Sequence, residues 1–247
     1  MEASYKIESR DRPGVEVEGR RPFSQISLKE VSIVFLGLMI IVLCFYSTSI
    51  VAHADWKYDF TYNSTIGDCE LSAYYCASCL EYEQYNSYDI TATEYADPTK
   101  STVTSSLLGT SKLFFFMGHG SHYVLGDNFF CAEDGYVGSS DIPSLTSVHN
   151  GGGQLLAYVA ACHSGDTSWL TDLREAFVNQ GSGAYQGFIE SVLAHDAYHF
   201  SCTYFDSLGE GNMLATALSD ALADPNHSLD SNDVVLVGTT SIRVADS

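Results

Sequence analysis

From residue 58 onward the chain alternates short apolar runs with longer stretches of helical spacing. Tyr58-Asp59-Phe60-Thr61-Tyr62 alternates with period two and predicts a strand, followed by a turn of helix-capping residues over 63–68. Leu71, Tyr74, Tyr75, Ala77, Cys79 and Leu80 then recur close to helical spacing and predict a helix over 69–85. Tyr88 to Thr91 reads as a second strand, and Pro98-Thr99 opens a helical stretch ending near Gly109. Two continuous apolar runs stand out. Residues 112–117 (KLFFFM) stop at Gly118-His119-Gly120, and residues 154–161 (QLLAYVAA) stop at Cys162-His163-Ser164-Gly165. Strands apolar on both faces belong inside a parallel sheet covered by helices. Between the two runs, residues 121–153 are rich in Gly, Ser and Asp and read as a surface loop with one short helix. Further on, helices are expected over 167–179, 195–208 and 212–223, and strands over 184–189 and 234–237.

Strand–helix alternation of this kind implies parallel pairing with right-handed crossovers. The predicted fold is therefore an α/β three-layer sandwich with a mostly parallel central sheet. In open sheets of this type, sites gather beyond the carboxyl ends of the strands. His119 and Cys162 both fall there.

The N-terminal fifth has a different pattern. Residues 31–52 (VSIVFLGLMIIVLCFYSTSIVA) carry no charge and follow Arg20, Arg21 and Lys29. That arrangement matches an export signal, with Ala52-His53-Ala54 as a small-x-small cleavage site, and it is also long enough for an uncleaved membrane anchor. Both readings divide the chain into a cytoplasmic leader (1–30), a signal or transmembrane helix (31–54) and a main domain (55–247). Both place that domain outside the cytoplasm, secreted or membrane-anchored, because the basic flank is N-terminal.

The chain has 247 residues and a net charge of −20. Its leader is balanced. After Ala54 there are 25 acidic groups and five basic ones, so the whole excess belongs to the main domain. Such a surface repels phosphate backbones, which excludes a nucleic-acid partner. With 45% hydrophobic residues the chain can bury a sizeable core. Six cysteines remain outside the apolar segment, Cys69, Cys76, Cys79, Cys131, Cys162 and Cys202, and an even number in an exported chain invites a disulfide framework. The Cys76-x-x-Cys79 pair also leaves open a thiol-redox function, against the plainer reading of two buried helix residues.

A thiolate nucleophile needs a base, a turn that exposes sulfur, and N–H donors for the oxyanion. Glycines around His119 and after Cys162 permit the close backbone approach such a turn demands. The segments FFFMGHGS (114–121) and LLAYVAACHSGD (155–166) resemble those of the caspase-like cysteine peptidases of clan CD, which include caspases, metacaspases, legumains, gingipains and clostripain. These enzymes place His-Gly after one apolar strand and Ala-Cys or Ser-Cys, often followed by x-Ser-Gly, after the next. Residues 183–188 (GAYQGF) are similar to the strand that follows the nucleophile there. The caspase pattern Q-A-C-[RQG]-G is met only in part, since Gln is missing and Ser164 intervenes before Gly165, which sets the chain nearer to metacaspases and gingipains.

The resemblance implies a caspase-like fold and a Cys162–His119 dyad acting on peptide or protein substrates, with the N–H groups of Gly120 and Cys162 as oxyanion donors. It implies no cofactor, with calcium as a candidate activator. No metal is expected. His119, His122, Cys162 and His163 could supply four zinc ligands, but neighbours on an extended strand end point to opposite sides. The excess of carboxylates favours a basic P1 residue, with Asp166 and Glu190 as the counter-charges. An inactive caspase-like binding or adhesion module is the alternative from another function class.

Overall fold

The two apolar runs become the middle of a sheet, and the segments around them arrange themselves to cover its faces. The computed structural model describes residues 56–82, 90–122, 126–146, 153–167 and 172–244. The 31–54 segment and its cleavage site lie outside the described residues. Among those described, no helix is long and apolar enough to cross a membrane.

The elements follow in the order β1 (Trp56–Tyr62), α1 (Gly67–Tyr82), β2 (Ile90–Ala96), a π-helical turn (Thr102–Leu107) and β3 (Leu113–Met117). Next come β4 (Gly120–His122), β5 (Asn128–Ala132), β6 (Gly135–Gly138), a 3₁₀ turn (Ser139–Asp141) and β7 (Leu156–Ala160). The chain continues with α2 (Leu173–Asn179), β8 (Ala184–Phe188), α3 (Ala194–Gly209), α4 (Leu214–Ala223) and β9 (Val234–Gly238).

The main sheet has the order β2-β1-β3-β7-β8-β9. The first four pairings are parallel, and β9 joins β8 antiparallel. The mostly parallel α/β sheet is thus as expected. Alternate residues of the central strands serve two cores, as the period-two geometry of a strand requires. Phe115, Tyr158 and Phe60 enter the core formed with α1, α3 and α4. Phe114, Phe116 and Val159 enter the other, with the π-helical turn, α2 and strands β5 and β6. Phe115 stacks on Tyr158 at 5.3 Å and meets Phe205 edge-on at 5.5 Å. Such aromatic pairs add to the burial of their apolar area.

Two expectations need correction, and a third is made more specific. The second strand begins at Ile90 and runs to Ala96, matched residue for residue with β1. The helical stretch expected after Pro98 is present, and its central part, Thr102–Leu107, is π-helical. Residues 121–153, expected as a loop, contain most of a second, three-stranded antiparallel sheet of β4, β5 and β6. Phe130 and Val137 anchor that sheet by burying against the main one, with Phe130 4.6 Å from Phe116. Its strands are too short, and too diluted by Gly, Ser and Asp, to show as periodic runs.

Candidate active site

The pairing of β3 with β7 ends at Met117 opposite Ala160. His119 and Cys162 each stand two residues beyond that pair, so adjacent parallel strands deliver both to one end of the sheet. Both rim a single cavity of about 220 Å³, together with Met117, Gly118 and Ala160. The cavity adjoins the place where strand order reverses, since the chain runs outward from β1 to β2 and returns on the other side of β1 as β3. That is the position at which open α/β sheets bind ligands.

The two segments touch closely. A Cβ built on Gly120 would lie 2.6 Å from the Cys162 carbonyl oxygen, 2.7 Å from the Ala161 Cβ and 3.1 Å from the Phe129 carbonyl oxygen. Only glycine fits there. The Gly118 N–H donates to the Ala160 carbonyl at 3.2 Å, a second tie between the strand ends. Because the Cys131 N–H donates to the His119 carbonyl, the alternation of the ladder turns the Gly120 N–H away from β5. The Cys162 N–H has no acceptor among the described residues. His119 itself is exposed.

Cys162 sits in a tight turn, not on an extended strand end. The Ser164 N–H donates to the Ala161 carbonyl at 3.2 Å, and the Asp166 N–H to the His163 carbonyl at 3.2 Å. Inside the turn His163 takes φ +59°, left-handed backbone that a side chain other than glycine rarely adopts. The Val192 N–H approaches the Cys162 Sγ at 3.4 Å, and the thiol lies 3.5 Å from the Val192 carbonyl. The segment after β8 therefore forms one wall around the sulfur.

Two polar residues that sequence reasoning missed hold this turn. Ser164 Oγ donates to the Val159 carbonyl at 2.7 Å and accepts from the Phe188 N–H at 3.0 Å, fastening the turn to β7 and β8. Asn128, fully buried, donates through Nδ2 to the carbonyls of His163 (2.9 Å), Ser164 (3.2 Å) and Asp166 (3.3 Å). Its Oδ1 accepts from the Leu173 N–H at 2.8 Å. An Asn beside Asp127 reads as turn chemistry, and only the pair of phenylalanines after it hinted at a strand. Replacing Asn128 by Leu leaves the buried Leu173 N–H without its acceptor and removes one donor from each of the three turn carbonyls. The expected loss is about 2–4 kcal/mol, or roughly 5–15 °C in Tm by calorimetry.

The remaining predicted residues lie nearby but apart from the cavity. Asp166 faces His163, with 3.9 Å from its Oδ2 to the ring Nδ1. Glu190 is exposed and serves through its backbone, its carbonyl accepting the His163 N–H at 3.0 Å. Neither carboxylate lines the cavity. The His163 ring packs edge-on against His122 at 4.7 Å and bonds Ser191 Oγ at 3.1 Å. Among the described residues, no three His, Cys, Asp or Glu side chains gather as metal ligands.

The cysteines expected to form a disulfide framework are free thiols, in contrast to that expectation. Cys76 and Cys79 are buried on α1, and burial pushes the Cys76 thiol well above its ordinary pKa. That disfavours the thiolate which a redox pair requires.

A model of peptidase family C25 matches residues 47–245. No curated protein matches the chain. Among solved structures, the Saccharomyces cerevisiae separase–securin complex is similar at a TM-score of 0.50, with 17% identity over 74% of this chain and 12% of that one. The Arg-specific cysteine proteinase gingipain R aligns at 0.46, with 13% identity over 67% of this chain and 40% of its own. The complex of Porphyromonas gingivalis RgpB pro- and mature domains aligns at 0.47, with 12% identity over 68% and 42%. The chain thus spans less than half the length of each of these structures, and the likeness to separase concerns the fold alone.

Proposed function

Because the chain belongs to peptidase family C25, a family of clan CD cysteine peptidases, we propose that it is a cysteine endopeptidase in which Cys162 is the nucleophile and His119 the acid–base partner. The observation that carries this reading is that His119 and Cys162, each two residues beyond the end of a paired strand, rim one cavity. In the acylation step, the Cys162 Sγ bonds to the scissile carbonyl carbon while the thiol proton passes to His119. The carbonyl electron pair moves onto oxygen, where the N–H groups of Gly120 and Cys162 receive it. Collapse of the tetrahedral intermediate breaks the C–N bond as His119 protonates the leaving amine. Water, deprotonated by His119, then hydrolyses the thioester and restores the thiol. These steps require no cofactor.

The reading includes export. Residues 31–54 carry the main domain across a membrane and are either removed or kept as an anchor. The balanced leader and the strongly acidic main domain support that division. Peptide or protein chains are the substrates. A basic P1 residue would need a carboxylate in the cavity, and the two residues expected to supply one are not in its lining.

Alkylation of the full chain with iodoacetamide tests the dyad without a substrate. Cys162 should react faster than the five other cysteines of the main domain, three of which are buried, and its rate should fall about tenfold or more in His119→Ala. Equal rates in the two proteins would overturn the pairing.

A further inference from the structure

The cavity between His119 and Cys162 has walls that say what enters it. Its far side is formed by Ile66 and Cys69 from the turn and helix after β1, and by Val192, Ala194 and Ala197 from the segment leading into α3. Cys69 and Ala197 are almost wholly buried. Resting on the peptidase reading above, we infer that this cavity is the P1 pocket and that it selects an uncharged, apolar side chain of about leucine or methionine size.

The position argues for P1. A side chain lodged between Cys162 and His119 belongs to the residue whose carbonyl carbon lies at the sulfur. The volume, about 220 Å³, is below the roughly 300–1,000 Å³ of sites for drug-sized ligands, so it suits a single side chain. The chemistry argues for apolarity. Burial pushes the Cys69 thiol up to about 12, so it remains neutral at physiological pH and offers no counter-charge. Asp68 acts on that thiol through its charge but does not line the cavity. Asp196, at the start of α3, accepts a hydrogen bond from Ser228 at 2.9 Å. Asp166 and Glu190 are placed as described above. A lysine or arginine head group entering here would lose its hydration with no carboxylate among the described lining residues to replace it. An aspartate would fare no better, since among the described residues no lysine or arginine lines the cavity either.

The test compares kcat/KM of the full chain on peptides identical except at P1, which is Leu, Met, Phe, Arg, Lys or Asp. Cys162→Ala serves as the control for cleavage by the proposed nucleophile. A companion pair of peptidyl chloromethyl ketones, with Leu or Arg at P1, reports occupancy separately. The Cys162 sulfur displaces chloride to give a thioether whose mass is read directly. Leu or Met should exceed Arg, Lys and Asp by at least about tenfold, the scale on which apolar pockets discriminate, and the Leu ketone should label Cys162 faster. In Ala194→Asp the preference should shift toward Arg. An acid in the first turn of α3 suits the helix dipole, so this variant is compatible with folding.

Cleavage that depends on Cys162 but is as good or better after Arg or Lys overturns the pocket assignment and leaves the peptidase reading intact. Absence of cleavage with faster labelling by the Leu ketone overturns the peptidase reading, and with it the assignment to P1, and leaves only the apolar preference of the cavity beside Cys162. Absence of cleavage with equal or no labelling by the two ketones overturns both.

Discussion

Replacing Cys162 by Ala is expected to lower kcat/KM on a cleaved peptide by at least about a thousandfold, with Tm unchanged within a few degrees. The magnitude follows from losing the atom that forms the covalent intermediate. What survives such a loss is the modest catalysis supplied by the oxyanion donors and by binding alone. Stability should be spared because Cys162 is only half-buried and the turn is held by neighbours instead. Ser164 ties it to Val159 and Phe188, and Asn128 ties it through three carbonyls. Kinetics on a peptide series, with thermal unfolding run in parallel, separate the two effects. Retained cleavage in Cys162→Ala would place the chemistry elsewhere.

Gly120→Ala is the second variant with a large expected effect, and its mechanism is steric. The added methyl group meets the Cys162 carbonyl oxygen at 2.6 Å and the Phe129 carbonyl oxygen at 3.1 Å, backbone on two sides that cannot swing away like a side chain. The strand carrying His119 must back away from the turn carrying Cys162. A displacement of about 1 Å between reacting groups can cost on the order of a hundredfold in rate, and crowding of this kind costs about 1–3 kcal/mol in stability. The expected result is a folded protein with a lower Tm and a kcat reduced far more than KM is raised. Unchanged kcat would show that the close approach of the two segments is dispensable.

Much of this arrangement was legible because it is written in simple patterns. The runs at 113–117 and 156–160 are apolar on both faces, and only interior parallel strands need that. The glycines after each run marked where the chain turns, and His119 and Cys162 stood beside them. The small sheet was hidden. Its buried residues, Asn128, Phe129, Phe130 and Val137, are interrupted by turns, and it exists only because the main sheet offers Phe114 and Phe116 as a surface. Asn128 was illegible for the same reason. An amide that bridges three carbonyls of a turn more than 30 residues away leaves no local signature. The direction of β9 was equally invisible, since the run Val234–Val237 suits either orientation and pairing is decided by how the chain returns from α4. The cavity is assembled from four separate segments, at Ile66 and Cys69, Met117–His119, Ala160 and Cys162, and Val192–Ala197, so overall composition carries no information about its lining.

The antiparallel last strand has one further consequence, for the order in which the parts of a newly made chain come together. Gly165 has no room for a side chain because Val235 of β9 presses against it, and its N–H is held by Phe188 of β8, the strand to which β9 adds. Domains are built from their N-terminus as they are synthesised. A nascent chain that has reached only β8 already contains His119 and Cys162, but it lacks the strand that closes the nucleophile turn from outside. In such a chain the turn stays open on the side that Val235 covers, and its packing is completed only when residues 234–238 have been added.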